Sequence, residues 1–214
     1  IAPDYAPDVV ATPAKRNGHV TFGSFNKLAK LGPATLRLWA AVLERVPDSR
    51  LLLKWRHATQ PAARDRILES LVDLGIAADR VEFRDASPHD AMLAEYGDID
   101  IALDPMPFSG GATTCDALWM GVPVVTLHGS RFASNHTVSH LNAAGLPELV
   151  AAHPDEYVDI CARLASDVPA LDRLRTGLRE QLRHSPLCSP ALFMRPAERH
   201  VETLLRDAAA QRFA

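Results

Sequence analysis

Three stretches of this 214-residue sequence carry residues whose types and spacing suit the binding of an anion. The first runs Asp104-Pro105-Met106-Pro107-Phe108-Ser109-Gly110-Gly111-Ala112-Thr113-Thr114-Cys115-Asp116. Gly110 and Gly111 let the backbone approach a ligand closely. The residues after them open a helix, whose free N–H groups and dipole favour negative charge. Thr113 and Thr114 add hydroxyl donors. Asp116 lies about one helical turn further in, where a carboxylate can accept from ribose hydroxyls. The plainer alternative is a glycine turn with a threonine cap. The loop is neither a Walker A loop nor G-x-G-x-x-G.

The second stretch is Asn26-Lys27-Leu28-Ala29-Lys30, where Lys27 and Lys30 can reach a diphosphate as point charges. Solvated surface lysines are the alternative. The third is Asp85-Ala86-Ser87-Pro88-His89. Its backbone can read a base edge and His89 can contact ribose or phosphate; equally, Ser87 can simply cap a helix. Two further patterns resemble metal sites. Asp98-Ile99-Asp100 fits D-x-D but enters a strand instead of leaving one. His136 and His140 are four apart but lack the glutamate of a zinc-protease helix. No metal site is expected.

These loops need strands to aim them. Apolar segments at 20–25, 50–55, 81–83, 99–104 and 123–127 read as strands. Helical patterns fall between and after them. One opens at Gly32-Pro33, with Leu36, Trp39, Leu43 and Val46 on one face. Others lie at 62–74, from Ser87-Pro88, at 112–120, and at about 131–144, 154–166, 168–183 and 191–211. Such alternation predicts an α/β fold, a Rossmann-like parallel sheet with helices on both faces. Ligands of such sheets bind beyond the carboxyl ends of the strands, where all three loops lie. Trp119 and Met120 read as packing residues, whereas Phe108 can line a sugar pocket.

Composition narrows the function classes. Hydrophobic residues make up 47% and charged ones 23%, ordinary for a globular domain. The net charge of −3 gives no reason to expect a nucleic-acid or anionic-membrane partner. The three cysteines are scattered, which fits a reducing, cytoplasmic setting better than a disulfide framework. The start, Ile1-Ala2-Pro3-Asp4, lacks methionine, and prolines follow at 7 and 13. Residues 1–18 are expected to be a linker within a longer protein, 19–190 the nucleotide-sugar-binding lobe, and 191–214 a C-terminal helix.

With these motifs in view, the chain resembles the carboxyl-terminal lobe of the O-GlcNAc transferase (SPINDLY) family, and looks closest to its bacterial homologues. The resemblance rests on Phe25 through Lys30, Trp39 to Pro47, Leu103-Asp104 through Trp119, Gly121 through Thr126, Ala133-Ser134 and Ser185-Pro186-Leu187. It implies one lobe of a two-lobed GT-B glycosyltransferase that moves GlcNAc from UDP-GlcNAc to Ser or Thr of proteins, inverting the sugar carbon without a metal or other cofactor. The implied partners are the UDP-sugar donor, a protein acceptor, and an N-terminal lobe and tetratricopeptide repeats outside this chain.

Carried over by position, Lys30 matches the essential lysine on the donor diphosphate. Lys27 stands where animal enzymes have glutamine. Gly111, Ala112 and Thr113 match the amides that hold the diphosphate, Asp116 the ribose-binding aspartate, and Ser87 a backbone group that reads uracil. His89 stands where animal enzymes have lysine. Met92 and Glu95 replace a histidine and an arginine near the base, and a plant branch uses GDP-fucose. Two other classes fit the same fold: a UDP-sugar epimerase, and an interaction module that binds no nucleotide.

Overall fold

The structure, a computed structural model, describes residues 3–212. Six parallel strands form one sheet in the order β3-β2-β1-β4-β5-β6. They are β1 (Thr21–Ser24), β2 (Arg50–Lys54), β3 (Val81–Arg84), β4 (Ile101–Leu103), β5 (Val124–Leu127) and β6 (Val150–Ala151). Phe22, Leu51, Leu53, Ile101 and Val125 are fully buried, as in strands covered on both faces. The helices are α1 (Ala14–Asn17), α2 (Pro33–Arg45), α3 (Pro61–Asp73), α4 (His89–Glu95), α5 (Ala112–Trp119), α6 (His136–Ala144), α7 (Pro154–Ser166), α8 (Val168–Arg183) and α9 (Pro190–Arg212).

The strand order decides where a ligand can sit. The chain runs outward from β1 to β3, then returns to β4 on the other side of β1. With right-handed crossovers, α2 and α3 cover one face while α5 and α6 cover the other. α7 packs on α2 and β5, and α8 packs on α5. The loops after β1 and β4 therefore diverge to opposite faces and leave a crevice between them, the switch point of a doubly wound sheet. Gly121 closes α5 with φ +79°; an added Cβ there would meet the Arg175 carbonyl at 2.6 Å, so only glycine fits.

Several expectations need correction. The stretch expected as a linker is packed onto the lobe. Thr12 and Ala14 are buried. Arg175 of α8 donates to the Val10 carbonyl at 2.7 Å and Arg179 to that of Pro7 at 2.8 Å. The Thr12 amide donates to Asp172 at 2.8 Å. Residues 1 and 2 of that stretch, and 213–214 of the expected final helix, lie outside the described residues. β6 has two residues, too few to show a period. The helix expected at 131–144 is interrupted: a 3-10 turn, Phe132–Ser134, precedes α6. Ser87 does not cap α4; its hydroxyl donates to Glu95 at 2.7 Å, and Pro88 stands at the cap.

Candidate functional site

β1 ends at Ser24, and the 3-10 turn Leu28–Lys30 brings Lys30 over the crevice. β4 ends at Leu103, and residues 104–111 lead to α5. The two loops meet through Lys30. Its ammonium donates to the Ser109 carbonyl at 2.7 Å and to Asn26 Oδ1 at 3.0 Å. Asn26 Oδ1 also accepts from the Thr113 hydroxyl at 3.2 Å, so Lys30 and the start of α5 share one acceptor. The ammonium lies 4.7 Å from the centre of the Phe108 ring. Burial lowers the Lys30 pKa, and the nearby Asp104 charge opposes that fall.

The amides of Gly111, Ala112 and Thr113 have no hydrogen-bond acceptor among the described residues. They open α5, where the helix dipole adds positive potential. Gly111 is roomy, with nothing within 4 Å of an added Cβ. Gly110 differs. Its amide already donates to Asp104 Oδ1 at 2.6 Å, and an added Cβ would collide with Thr114 Oγ1. Gly110 therefore shapes the loop, and Gly111 faces the ligand side.

Thr114 also departs from its expected role. It is buried, and its hydroxyl pairs with Thr137 at 2.9 Å. Thr113 is the hydroxyl left facing the crevice. Lys27 is exposed at its rim. Ser109, part of the anion-loop run, instead joins three elements: its hydroxyl donates to Ala133 at 3.1 Å, and accepts from the His136 amide at 3.0 Å at the start of α6. Asn26 and Asp104 were missed. The signal available was a polar residue ending each of two apolar strands.

The third loop forms the other end of the site. His89 Nε2 lies 3.3 Å from Asp116 Oδ1, and its Nδ1 is 2.7 Å from the Tyr5 hydroxyl. The ribose-contact candidate is thus already engaged by a neighbouring side chain. Burial raises the Asp116 pKa, and His89 partly offsets the rise. Beneath Ser87, Glu95 accepts from the buried Lys54 at 2.9 Å. Lys54 also donates to the Asp85 carbonyl, fixing the loop that carries Ser87.

The two metal-like patterns are used structurally. Asp98 accepts from Arg84 at 2.7 Å, and Asp100 is buried, accepting from the Thr21 and Ala14 amides at 2.8 and 3.0 Å. His136 stacks edge-on against Phe108 and Phe132, at 6.0 and 4.8 Å between ring centres. The site is an open shelf. Larger cavities lie elsewhere, one of about 570 Å³ between α6 and the start of α9 and one of about 590 Å³ between α2 and α3. Among the described residues no helix is long and apolar enough to cross a membrane.

Comparison with known proteins places this arrangement. The chain is 46% identical over 199 residues, 92% of its length, to the tomato protein named probable UDP-N-acetylglucosamine–peptide N-acetylglucosaminyltransferase SPINDLY. It is 34% identical over 73% of its length to the Caenorhabditis elegans UDP-N-acetylglucosamine–peptide N-acetylglucosaminyltransferase. It spans only about a fifth of the tomato protein, 21%. Among solved structures, a variant of the Thermobaculum terrenum O-GlcNAc transferase superposes with a TM-score of 0.81 at 39% identity, covering 98% of this chain and 40% of that one. The C-terminal domain of a Francisella tularensis group 1 glycosyl transferase, with 83% of this chain and 93% of that one covered, gives a TM-score of 0.57 at 10% identity, which speaks to the GT-B fold alone. The family description "Glycosyl transferase family 41" matches residues 12–195. The switch-point shelf, with its lysine and helix amides, is that of a GT-B lobe, and the chain belongs to glycosyl transferase family 41.

Proposed function

We propose that this lobe holds the nucleotide-sugar donor for inverting, metal-independent transfer of GlcNAc from UDP-GlcNAc to Ser or Thr hydroxyls of proteins. The observation that carries it is the sharing of Asn26 Oδ1 by Lys30 and Thr113, which sets a cation beside three unpaired amides. A diphosphate bridging them replaces the weak acceptors Lys30 now uses. As the acceptor oxygen bonds to the sugar carbon, the bond to the β-phosphate oxygen breaks, the hydroxyl proton passes to solvent or to the departing diphosphate, and negative charge grows on the leaving UDP. Lys30 and the α5 amides are aimed at that charge, doing the work a cation does elsewhere. Asp116 takes the ribose, with His89 swinging away from it, and Phe108 flanks the sugar. The relatives' names, which specify UDP-N-acetylglucosamine and a peptide acceptor, support this choice of sugar and acceptor.

The rest of the active site belongs to a second lobe, and tetratricopeptide repeats and a cytoplasmic setting complete the proposal. α9 is the segment that packs toward that lobe. It exposes Phe193, Met194, Val201, Leu204 and Leu205, too much apolar surface for a helix left in water.

A second reading, a GDP-sugar such as GDP-fucose, is favoured by one observation. Glu95 puts a carboxylate beside Ser87, with both strong bonds on Oε1 and only Arg84 at 3.7 Å from Oε2. Guanine offers N–H groups on N1 and N2 to such an acceptor, whereas uracil offers one. A binding and turnover panel of UDP-GlcNAc, UDP-GalNAc and GDP-fucose on the full-length protein separates the readings. Transfer from UDP-GlcNAc to a peptide supports the first, and preference for GDP-fucose supports the second. Isomerised sugar without acceptor indicates an epimerase, and binding of none indicates an interaction module.

A further inference from the structure

Asp104 has no place in the chemistry above, yet it sits at its centre. It is the first residue after β4, 3% exposed, with both carboxylate oxygens engaged. Oδ1 accepts from the Gly110 amide and Oδ2 from the Thr126 hydroxyl, each at 2.6 Å. Gly110 cannot carry a side chain, because a Cβ would come within 2.9 Å of Asp104 Oδ1. The next three amides are those without acceptors. Thr137 completes the bracket, donating to the Gly110 carbonyl at 3.2 Å. Among the described residues no lysine or arginine forms a salt bridge with Asp104, and the charged group that acts on it is Lys30.

We infer that Asp104 is the positioning residue of this shelf: its carboxylate turns the Gly110 amide inward so that the following amides face out, and it sets its charge across the Ser109–Gly110 peptide from the Lys30 ammonium, which holds the carbonyl of that same peptide. The inference rests on the diphosphate reading for its purpose, though not for its geometry. A neutral acceptor would hold Gly110 almost as well. Burial in fact raises the Asp104 carboxyl to about 6, so folding works against its ionisation. One peptide links the carboxylate to the ammonium: the Ser109 carbonyl accepts from Lys30 at 2.7 Å and the Gly110 N–H donates to Asp104 at 2.6 Å. Around Lys30 the charged groups are Asp104 at the end of β4 and Lys27 at the start of its own turn. The Phe108 ring lies over the ammonium, and His136 of α6 stands behind that ring. Asp104 alone raises the affinity of Lys30 for its proton; Lys27 lowers it.

The test is the pH dependence of Lys30 acylation by acetic anhydride in the full-length protein, read by peptide mass spectrometry without nucleotide. Asp104→Asn keeps the shape and one acceptor but removes the charge. It is expected to lower the Lys30 pKa by about one unit. Thr126→Val keeps the charge and removes a hydrogen bond, and should leave Lys30 within about 0.3 units of wild type. An unchanged Lys30 in Asp104→Asn overturns the inference, as does an equal fall in both variants, which would make the effect structural. Protection of wild-type Lys30 by added UDP reports separately on the diphosphate reading. If UDP gives no protection while Asp104→Asn still shifts Lys30, that reading fails and the link between Asp104 and Lys30 stands.

Discussion

The two ends of the shelf are built differently. At the β1–β4 end, Asp104, Gly110, Ser109, Thr114 and Thr137 are buried and tied to one another across three elements, so Lys30 and the α5 amides stand on a rigid base. At the Ser87–His89 end the contacts are exposed: Tyr5, His89 and Asp116 form a chain of side chains at the surface. A preformed site loses little on binding a diphosphate, which UDP- and GDP-sugars share. The surface chain of Tyr5, His89 and Asp116 can change residues at small cost, whereas Glu95 beneath it is held by the buried Lys54 at 2.9 Å. Under the proposed function, rigid burial serves the diphosphate of the donor and adaptable surface serves its nucleoside.

Substitutions at the two ends should therefore differ in size. The largest effect is expected for Lys30→Ala in the full-length protein, with transfer falling by about 10³-fold and the thermal melt unchanged, because removing one charge-stabilising group costs this much. Near-normal turnover in that variant breaks the distinction between the ends. Next comes a stability effect. The Asp104 carboxyl is raised from 3.8 to about 6, so its contribution to stability is fully present below pH 3.8 and is lost as pH rises through about 6. That loss amounts to about 3 kcal/mol at most. Chemical denaturation between pH 4 and 7.5 should show it in wild type, and Asp104→Asn should flatten it; equal pH dependence in both contradicts it.

Gly110→Ala should cost about 1–3 kcal/mol of stability through overpacking against Thr114 and Asp104, and weaken UDP binding, while Gly111→Ala costs under about 1 kcal/mol. Equal melting temperatures for the two would remove the division of roles between these glycines. The smallest effect belongs to the exposed end. His89→Ala breaks a pair whose partners are 42% and 14% exposed, and should change donor affinity by less than about fivefold. A loss there as large as that of Lys30→Ala would show that the open end is as rigid as the buried one.

Much of the frame was legible because each signal was local. Five strands came from apolar runs, and α7 and α8 span the expected 154–166 and 168–183. That the Lys30 loop and the Gly-Gly loop share one end of the sheet was legible from their place after strands; the strand order, seen only in the structure, makes them neighbours. What stayed hidden depends on partners far along the chain. Asn26 acquires its role from Thr113, 87 residues away, and Asp104 from Thr126 on the next strand. The inward turn of Thr114 depends on the phase at which α5 starts, which two glycines leave undetermined. Prolines near the start suggested a linker and said nothing of the docking that Arg175 and Arg179 impose from 165 and 172 residues away.

The central claim is that the shelf binds a diphosphate through Lys30 and the α5 amides without a metal. Calorimetric titration of the full-length protein with UDP and with uridine, both in excess EDTA, tests it most directly. UDP should bind at least about 100-fold more tightly than uridine, about 2.7 kcal/mol for two phosphates held by a lysine and three amides. Equal affinity for the two, or UDP binding that vanishes in EDTA, would contradict it.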